Sequence, residues 1–421
     1  MLKDFIRFDR VIFDNNGELS NKRIAFFLLF MNIITSAAVS VYIPCMHRMA
    51  LDLGTVNEMM QMSIVAHLIG EFFGRIFIGP MVNFKGFKKV IVPSLIVSIL
   101  GHLGCFVSAS FSFFVCMRFM QAVGASVVYI VSLSIINDLF EEKERAGIVG
   151  ILELYQPIAW IVSPFAGAIL SEIGHWRLLF LALMSAQIIG LLFFIECPEK
   201  KKFGHNIPVF SLKNLFNDYR SILKDSYFMI YALIPGLFAG GYMIFAVNCP
   251  FICSHLSGSH AADVAIFSAI PLVFYVGSTF VYRSIVKNAG MRIAKWIGVI
   301  IYGFFGLYVF NLSGLHLEWS EVNLLTLMCL QCMGSAFLVP VAIVKALKSM
   351  PHISGVAASS VVVFRNIVMS LCISLSTKFN SSITTIMSCV FMTVGTILML
   401  ITTRRIIKIR RRKKAEQRRR G

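Results

Sequence analysis

Apolar runs of similar length, separated by short polar breaks, fill this 421-residue chain from residue 24 to residue 403. A helix needs about 20 residues to cross a hydrocarbon core of roughly 30 Å, and twelve runs have that length. They are residues 24–45, 59–81, 89–107, 111–136, 146–171, 177–196, 228–252, 263–282, 295–313, 322–345, 353–378 and 382–403. The period-two alternation of a barrel strand is absent, so the backbone has to satisfy itself within helices. The pattern predicts an all-α polytopic membrane protein. A single long polar break, Cys197 to Tyr227, holds the amphipathic string S-L-K-N-L-F-N-D-Y-R-S-I-L-K, suited to the membrane surface. The expected organisation is an N-terminal six-helix bundle (residues 1–196), a cytoplasmic linker (197–227), a C-terminal six-helix bundle (228–403) and a basic tail (404–421). The first run follows some twenty polar residues and belongs to the multi-span pattern, so it is read as a retained helix rather than a cleaved signal.

Composition agrees with the pattern: 57% of residues are hydrophobic and 14% charged, with a mean hydropathy of +0.78. Lysine and arginine concentrate on one side, at Lys22, Arg23, Lys85, Lys88, Lys89, Lys143, Arg145, the linker, Arg283, Lys287, Arg292, Lys295, Lys345, Lys348 and the tail. By the positive-inside rule both termini are cytoplasmic. The net charge of +18 is largely this asymmetry plus the tail, so no nucleic-acid partner is needed to explain it. The tail reads as an anchor on anionic lipid. The ten cysteines are scattered through apolar runs without metal-ligand spacing, and Cys329 and Cys332 read as small helix residues. No metal site, cofactor or disulfide framework is expected. The motifs of intramembrane hydrolases and the phosphate-binding loop of ATP-driven pumps are missing, so the chain is not read as an enzyme or a primary pump.

Two pairs of segments suggest internal repetition. V-S-V-Y-I-P-C-M-H ends the first span and F-A-V-N-C-P-F-I-C the seventh, setting Pro44 against Pro250. M-Q-A-V-G-A-S in the fourth span matches L-Q-C-M-G-S-A in the tenth, pairing Gln121 with Gln331 and Gly124 with Gly334. Their nearly common offset argues for two parallel six-helix repeats around a central pathway.

Residues Arg118 to Phe140, R-F-M-Q-A-V-G-A-S-V-V-Y-I-V-S-L-S-I-I-N-D-L-F, resemble the fourth-helix motif of the major facilitator superfamily. S-P-F-A-G-A-I-L, from Ser163, resembles its fifth-helix Pro-Gly antiporter motif, and H-W-R-L-L-F, from His175, the start of its sixth helix. A-G-G-Y-M-I-F-A-V-N-C-P-F-I is similar to the bicyclomycin and chloramphenicol resistance branch of drug:proton antiporters. The resemblance implies the twelve-helix fold and makes Gly79, Asn83, Gly86, Gly124, Pro164 and Gly167 conformational motif positions. Two departures stand out. The loop after the second span reads G-P-M-V-N-F-K-G-F-K, with Asn83 where the family has an acid, and Ser40 occupies the position where the branch commonly has a proton-titrating acid.

The string H-L-I-G-E-F-F-G-R-I-F-I-G-P, from His67, carries Glu71 and Arg75 inside an apolar span. An ionised carboxylate near the midplane costs several kcal/mol unless it is paired or faces water. Arg75, one turn on, offers the pairing, while Gly70 and Gly74 would let another helix approach closely. Two readings stay open: a fixed structural pair, or a relocated proton site in which Glu71 exchanges between Arg75 and Arg118. The resemblance makes Arg118 an influence on protonation, so Glu71, Arg75 and Arg118 are the proton-coupling candidates. Arg365, with Asn366 beside it, has no acid in its own span to balance it. It would attract an anionic or zwitterionic substrate, or pair with Glu71 or Glu153 across the bundle. Tyr42, Gln121, Tyr155, Tyr242 and Gln331 complete the substrate-binding candidates. His67 and His102 are expected to be hydrogen-bonded within the bundle, with a proton relay as the alternative.

The expected function is secondary active transport of a small organic molecule by alternating access, with proton-coupled export favoured by the fifth-helix motif. An importer or facilitator of an amino acid, nucleotide or organic anion is the alternative, and a receptor without flux a third. The expected setting is a monomer in a bacterial inner membrane.

Overall fold

The computed structural model describes residues 21–78, 81–82, 86–139, 155–173, 175–197, 212–257, 261–314, 321–350 and 354–376. Among these residues all regular structure is helical. Ten helical segments are long and apolar enough to cross a membrane. The fifth expected span is described as Tyr155–Ile173, while the twelfth span and the basic tail lie outside the described residues.

The chain forms two compact units, Met1–Phe210 with His260–Ala265, and Ser211–Ser259 with Ile266–Gly421. In the first unit, α1 (Asn21–Ser40) gives way to a 3₁₀ turn at Ile43–Cys45 and then to α2 (Met46–Asp52). The expected single span breaks there because Pro44 has no N–H for the carbonyl four residues back. The chain tightens instead, with Cys45 N–H bonding Tyr42 O at 2.9 Å. Next come α3 (Asn57–Phe73), which continues as a π-helical turn over Gly74–Ile78, and α4 (Phe87–Val107). The fourth span is two helices, α5 (Phe111–Ala125) and α6 (Val128–Leu139). The unit closes with α7 (Tyr155–Ile173) and α8 (Arg177–Glu196).

Small residues set the packing around α5. A Cβ added to Gly70 of α3 would lie 2.5 Å from the Phe119 carbonyl oxygen, and one on Gly74 equally close to that of Val123. From the other side, a Cβ on Gly101 of α4 would meet the Gln121 backbone nitrogen at 2.5 Å. The fourth span is thus gripped between the second and third at backbone-to-backbone distance, the close approach expected of Gly70 and Gly74. In the same unit Gly167 of α7 admits the Val41 carbonyl where α1 breaks.

The second unit holds the surface helix α9 (Leu212–Lys224) and the spans α10 (Ser226–Ser257), α11 (Ala261–Ala289, from Ile266 on), α12 (Met291–Gly314), α13 (Glu321–Ser349) and α14 (Ser354–Ser376). Ile222 anchors α9 in the unit while Phe216 and Leu223 stay exposed, the arrangement its amphipathic sequence predicts. Gly334 of α13 packs on the Tyr302 ring of α12 as Gly124 packs on Ser98 of α4. Gly86 and Gly290, the residues before α4 and α12, both take positive φ, 81° and 85°. No L side chain adopts that turn cheaply, so each unit carries the same glycine-specific device ahead of its third span.

Two glycine substitutions separate this packing from generic span hydrophobicity. Gly70→Val should destabilise the folded protein by about 1–3 kcal/mol through overpacking against α5. Gly303→Val, where no neighbour lies within 4 Å of the added Cβ, should leave stability unchanged. Thermal melting of the two purified variants in one detergent checks the difference; equal melting would dismiss the grip on α5.

Candidate functional site

The first unit encloses a polar cluster within its apolar spans. Arg118 stands seven residues into α5 and is fully buried. Its Nη1 donates to Gln121 Oε1 at 2.7 Å, and its guanidinium lies over the Tyr42 ring at 4.6 Å and the Phe180 ring at 5.9 Å. Gln121 in turn donates through Nε2 to His102 Nε2 at 3.2 Å. Because Arg118 can only donate, the amide orientation is determined, and His102 Nε2 must be the acceptor. The imidazole of His102 is therefore neutral in this bonding pattern, with its proton on Nδ1. Arg118 has no carboxylate partner among the described residues, and its Nε and Nη2 make no hydrogen bond of normal geometry there. Its charge is met by amide and aromatic faces instead.

One helix away, α3 and its π turn present His67, Glu71 and Arg75 on one face. Glu71 Oε2 lies 3.4 Å from Arg75 Nη2, and Oε1 lies 4.0 Å from His67 Nε2. The carboxylate points one oxygen at each cation-forming neighbour. Arg75 also donates to the Tyr155 hydroxyl oxygen, with Tyr129 nearby. Tyr155 and Tyr129 pack ring to ring at 5.7 Å. The π turn falls on Arg75 itself, and such turns recur at functional sites in helices.

The sequence candidates thus fall into distinct settings. Glu71 and Arg75 meet as expected, whereas Arg118 pairs with Gln121 rather than with Glu71 in this state. Tyr42 and Gln121 are fully buried, Tyr42 through a 2.8 Å hydrogen bond to Ser63, so both serve the Arg118 enclosure here rather than an open substrate surface. Tyr155 belongs with Arg75. In the second unit the Tyr242 hydroxyl donates to Ser268 O at 3.0 Å and Gln331 Nε2 to Phe238 O at 3.2 Å, both inside the bundle. Arg365 and Asn366 lie on α14, Arg365 partly exposed and Asn366 buried. Gly79, Asn83 and Glu153 lie outside the described residues.

Ser40 makes a 2.6 Å hydrogen bond to Ser163, immediately before Pro164 of α7. Cys45 Sγ reaches the Gly167 carbonyl at 3.9 Å, so the break in α1 and the Ser-Pro-x-x-Gly segment of α7 form one contact. Near the ends of α2 and α8, Asp52 accepts from Trp176 Nε1 at 2.7 Å and faces His175 Nε2 at 2.9 Å. Trp176 continues inward against Phe114 and Phe180, and Arg177 donates to Ser108 O at 2.8 Å. The Asp52 contact was not legible from the sequence, because its partners are more than a hundred residues apart.

Glu71→Ala removes the only carboxylate on Arg75 among the described residues, and should cost about 3 kcal/mol or more by leaving a buried charge uncompensated. Adding Arg75→Met should return most of that loss. Thermal melting of the single and double variants measures the coupling; strictly additive losses would show that the two side chains do not depend on each other.

A family model for the Major Facilitator Superfamily matches residues 25–372. An uncharacterized MFS-type transporter, YdgK, of Bacillus subtilis is 27% identical over 264 residues, which is 61% of this chain and 65% of that relative. A bicyclomycin resistance protein homolog of Haemophilus influenzae is 24% identical over 79% of this chain and 84% of its own length. The multidrug resistance protein MdtL of Shigella flexneri is 23% identical, over 78% and 81% respectively. Among solved structures, a D-xylose-proton symporter superposes with a TM-score of 0.67 at 12% identity, covering 89% of this chain and 96% of the symporter. A bacterial homolog of the human lysosomal transporter Spinster, inward-facing, gives 0.67 at 12% identity, over 92% and 98%. With the family model covering most of its length and the same helical fold in both neighbours, the chain belongs to the Major Facilitator Superfamily.

Proposed function

We propose that the protein exports a small organic molecule in exchange for protons by alternating access, from an inner membrane in which both termini are cytoplasmic. The observation that carries this reading is Glu71. Among the described residues it is the only acid in the middle of a span, and its two carboxylate oxygens face Arg75 and His67. A carboxylate at that depth gains or loses a proton when the distance to its cations changes. Arg75 keeps its charge throughout, so any change in its distance to Glu71 alters the proton affinity of the carboxylate. The hydroxyl of Ser40, bonded to Ser163, does not titrate near neutral pH, so among the described residues the proposal places the coupling on α3. The names of the relatives support export of drug-like molecules.

The second reading is an importer or facilitator of a metabolite, favoured by Arg365. An arginine within α14 suits a substrate carrying a negative charge more than a lipophilic cation. On the proposed reading Arg365 selects substrate and Glu71 couples it to protons.

Proteoliposomes with trapped pyranine and an imposed pH gradient test the proposal with ethidium, chloramphenicol and benzoate as probes. At least one compound should trigger proton movement in wild type, and Glu71→Gln should abolish it in folded protein. Compound movement without protons would establish the facilitator. Arg365→Ala should impair benzoate far more than chloramphenicol; equal loss of both would assign Arg365 to packing.

A further inference from the structure

We infer that His67 is a proton-relay residue, handing protons to Glu71 from the side of the membrane on which α3 begins. The inference rests on the proposed proton coupling at Glu71 and names the group that serves it. His67 is fully buried in α3, one helical turn before Glu71. Neither of its ring nitrogens has a hydrogen-bond partner among the described residues. Leaving two such groups unpaired costs on the order of 1–3 kcal/mol each, so the position carries an imidazole at the expense of stability.

The two buried imidazoles of this bundle are not equivalent. His102 has its acceptor nitrogen occupied by the Gln121 amide, whose orientation Arg118 determines, so taking up a proton there would require three residues to rearrange. His67 has both nitrogens available, with Nε2 4.0 Å from Glu71 Oε1. Rotation of the Glu71 side chain by about 1 Å brings that pair to hydrogen-bond distance.

The charged and titratable groups around His67 come from each helix packed there. Glu71 and Arg75 lie on its own helix and its π extension, His102 on α4, and Arg118 on α5. Two fixed positive charges repel an imidazolium and one carboxylate attracts it, so the imidazolium forms only transiently and passes its proton toward the carboxylate. In the transfer, the Nε2–H bond of the imidazolium breaks and a new O–H bond forms at Oε1 of ionised Glu71. His67 is left neutral, and a hydronium ion from the outer water restores its proton. Protonated Glu71 then releases Arg75, and no other species is consumed.

Transport in proteoliposomes tests this with full-length His67→Gln and His67→Asn, using whichever of ethidium, chloramphenicol and benzoate wild type moves. The expected result is a loss of proton movement of about tenfold or more, with the acidic limb of its pH profile gone. Counterflow exchange of the same compound at equal pH on both sides, which needs no net proton, should stay near the wild-type rate. A variant that couples protons as wild type does overturns the relay. Loss of exchange together with coupling in both variants also overturns it, assigning His67 to packing. Wild type that moves compound without protons refutes the proposed coupling and the relay with it, an outcome read on wild type alone.

Discussion

Burying the Arg118 guanidinium with no carboxylate partner among the described residues is the constraint around which the described part of the first unit is built. An arginine at this depth keeps its charge, and solvating it by a salt bridge would tie it to a single partner. The chain surrounds Arg118 with Gln121, the Tyr42 face and the Phe180 ring. That arrangement requires α5 to sit deep between its neighbours, which the bare surfaces of Gly70, Gly74 and Gly101 permit. Phe114 and Trp176 close the aromatic wall from the side of Asp52. The glycines, the aromatic wall and the amide are thus parts of one solution to one electrostatic cost.

Much of the fold was legible because membrane spans announce themselves by length. Arg177–Glu196 falls on the residues that the hydrophobic pattern marks, and the linker helix sits where amphipathicity places it. The breaks inside spans were less legible. Pro44 signals one, but the break in the fourth span at Ser126 and the π turn at Gly74–Ile78 carry no strong local signal. They arise where tertiary packing overrides a continuous apolar run. The candidate site divides along the same line. Glu71 and Arg75 lie one turn apart on a single helix, so their meeting follows from helical geometry alone. The Arg118–Gln121 bond is equally local, yet the sequence suggested Glu71 as an exchanging partner for Arg118, because charge complementarity is easier to read than amide orientation. Contacts across helices, such as Ser40 with Ser163, depend on rotation about helix axes that no spacing rule supplies.

The serine at position 40 keeps one interhelical junction neutral. With a serine pair there, the junction between the break in α1 and the Ser-Pro-x-x-Gly segment of α7 is a neutral contact of backbone and small side chains. An acid in that place would have to be solvated or paired at every stage of a transport cycle. A serine pair only has to slide or separate, and each hydroxyl has local backbone acceptors to fall back on. If the titrating group lies on α3, as proposed, this junction is free to act as a packing surface.

The two polar groupings of the unit therefore divide the work by how completely their bonds are specified. Around Arg118 every donor that is used determines the next group in line, through Gln121 to the tautomer of His102. That kind of network resists rearrangement and suits a scaffold. Along α3 the carboxylate of Glu71 stands between a permanent cation and a titratable one, at 3.4 Å and 4.0 Å, neither contact short enough to exclude the other. On the proposed coupling, a small movement of α3 past α7, which supplies Tyr155 to Arg75, would shift the carboxylate between these two partners. The bonds around Arg118 would then hold α5 as the surface against which α3 moves.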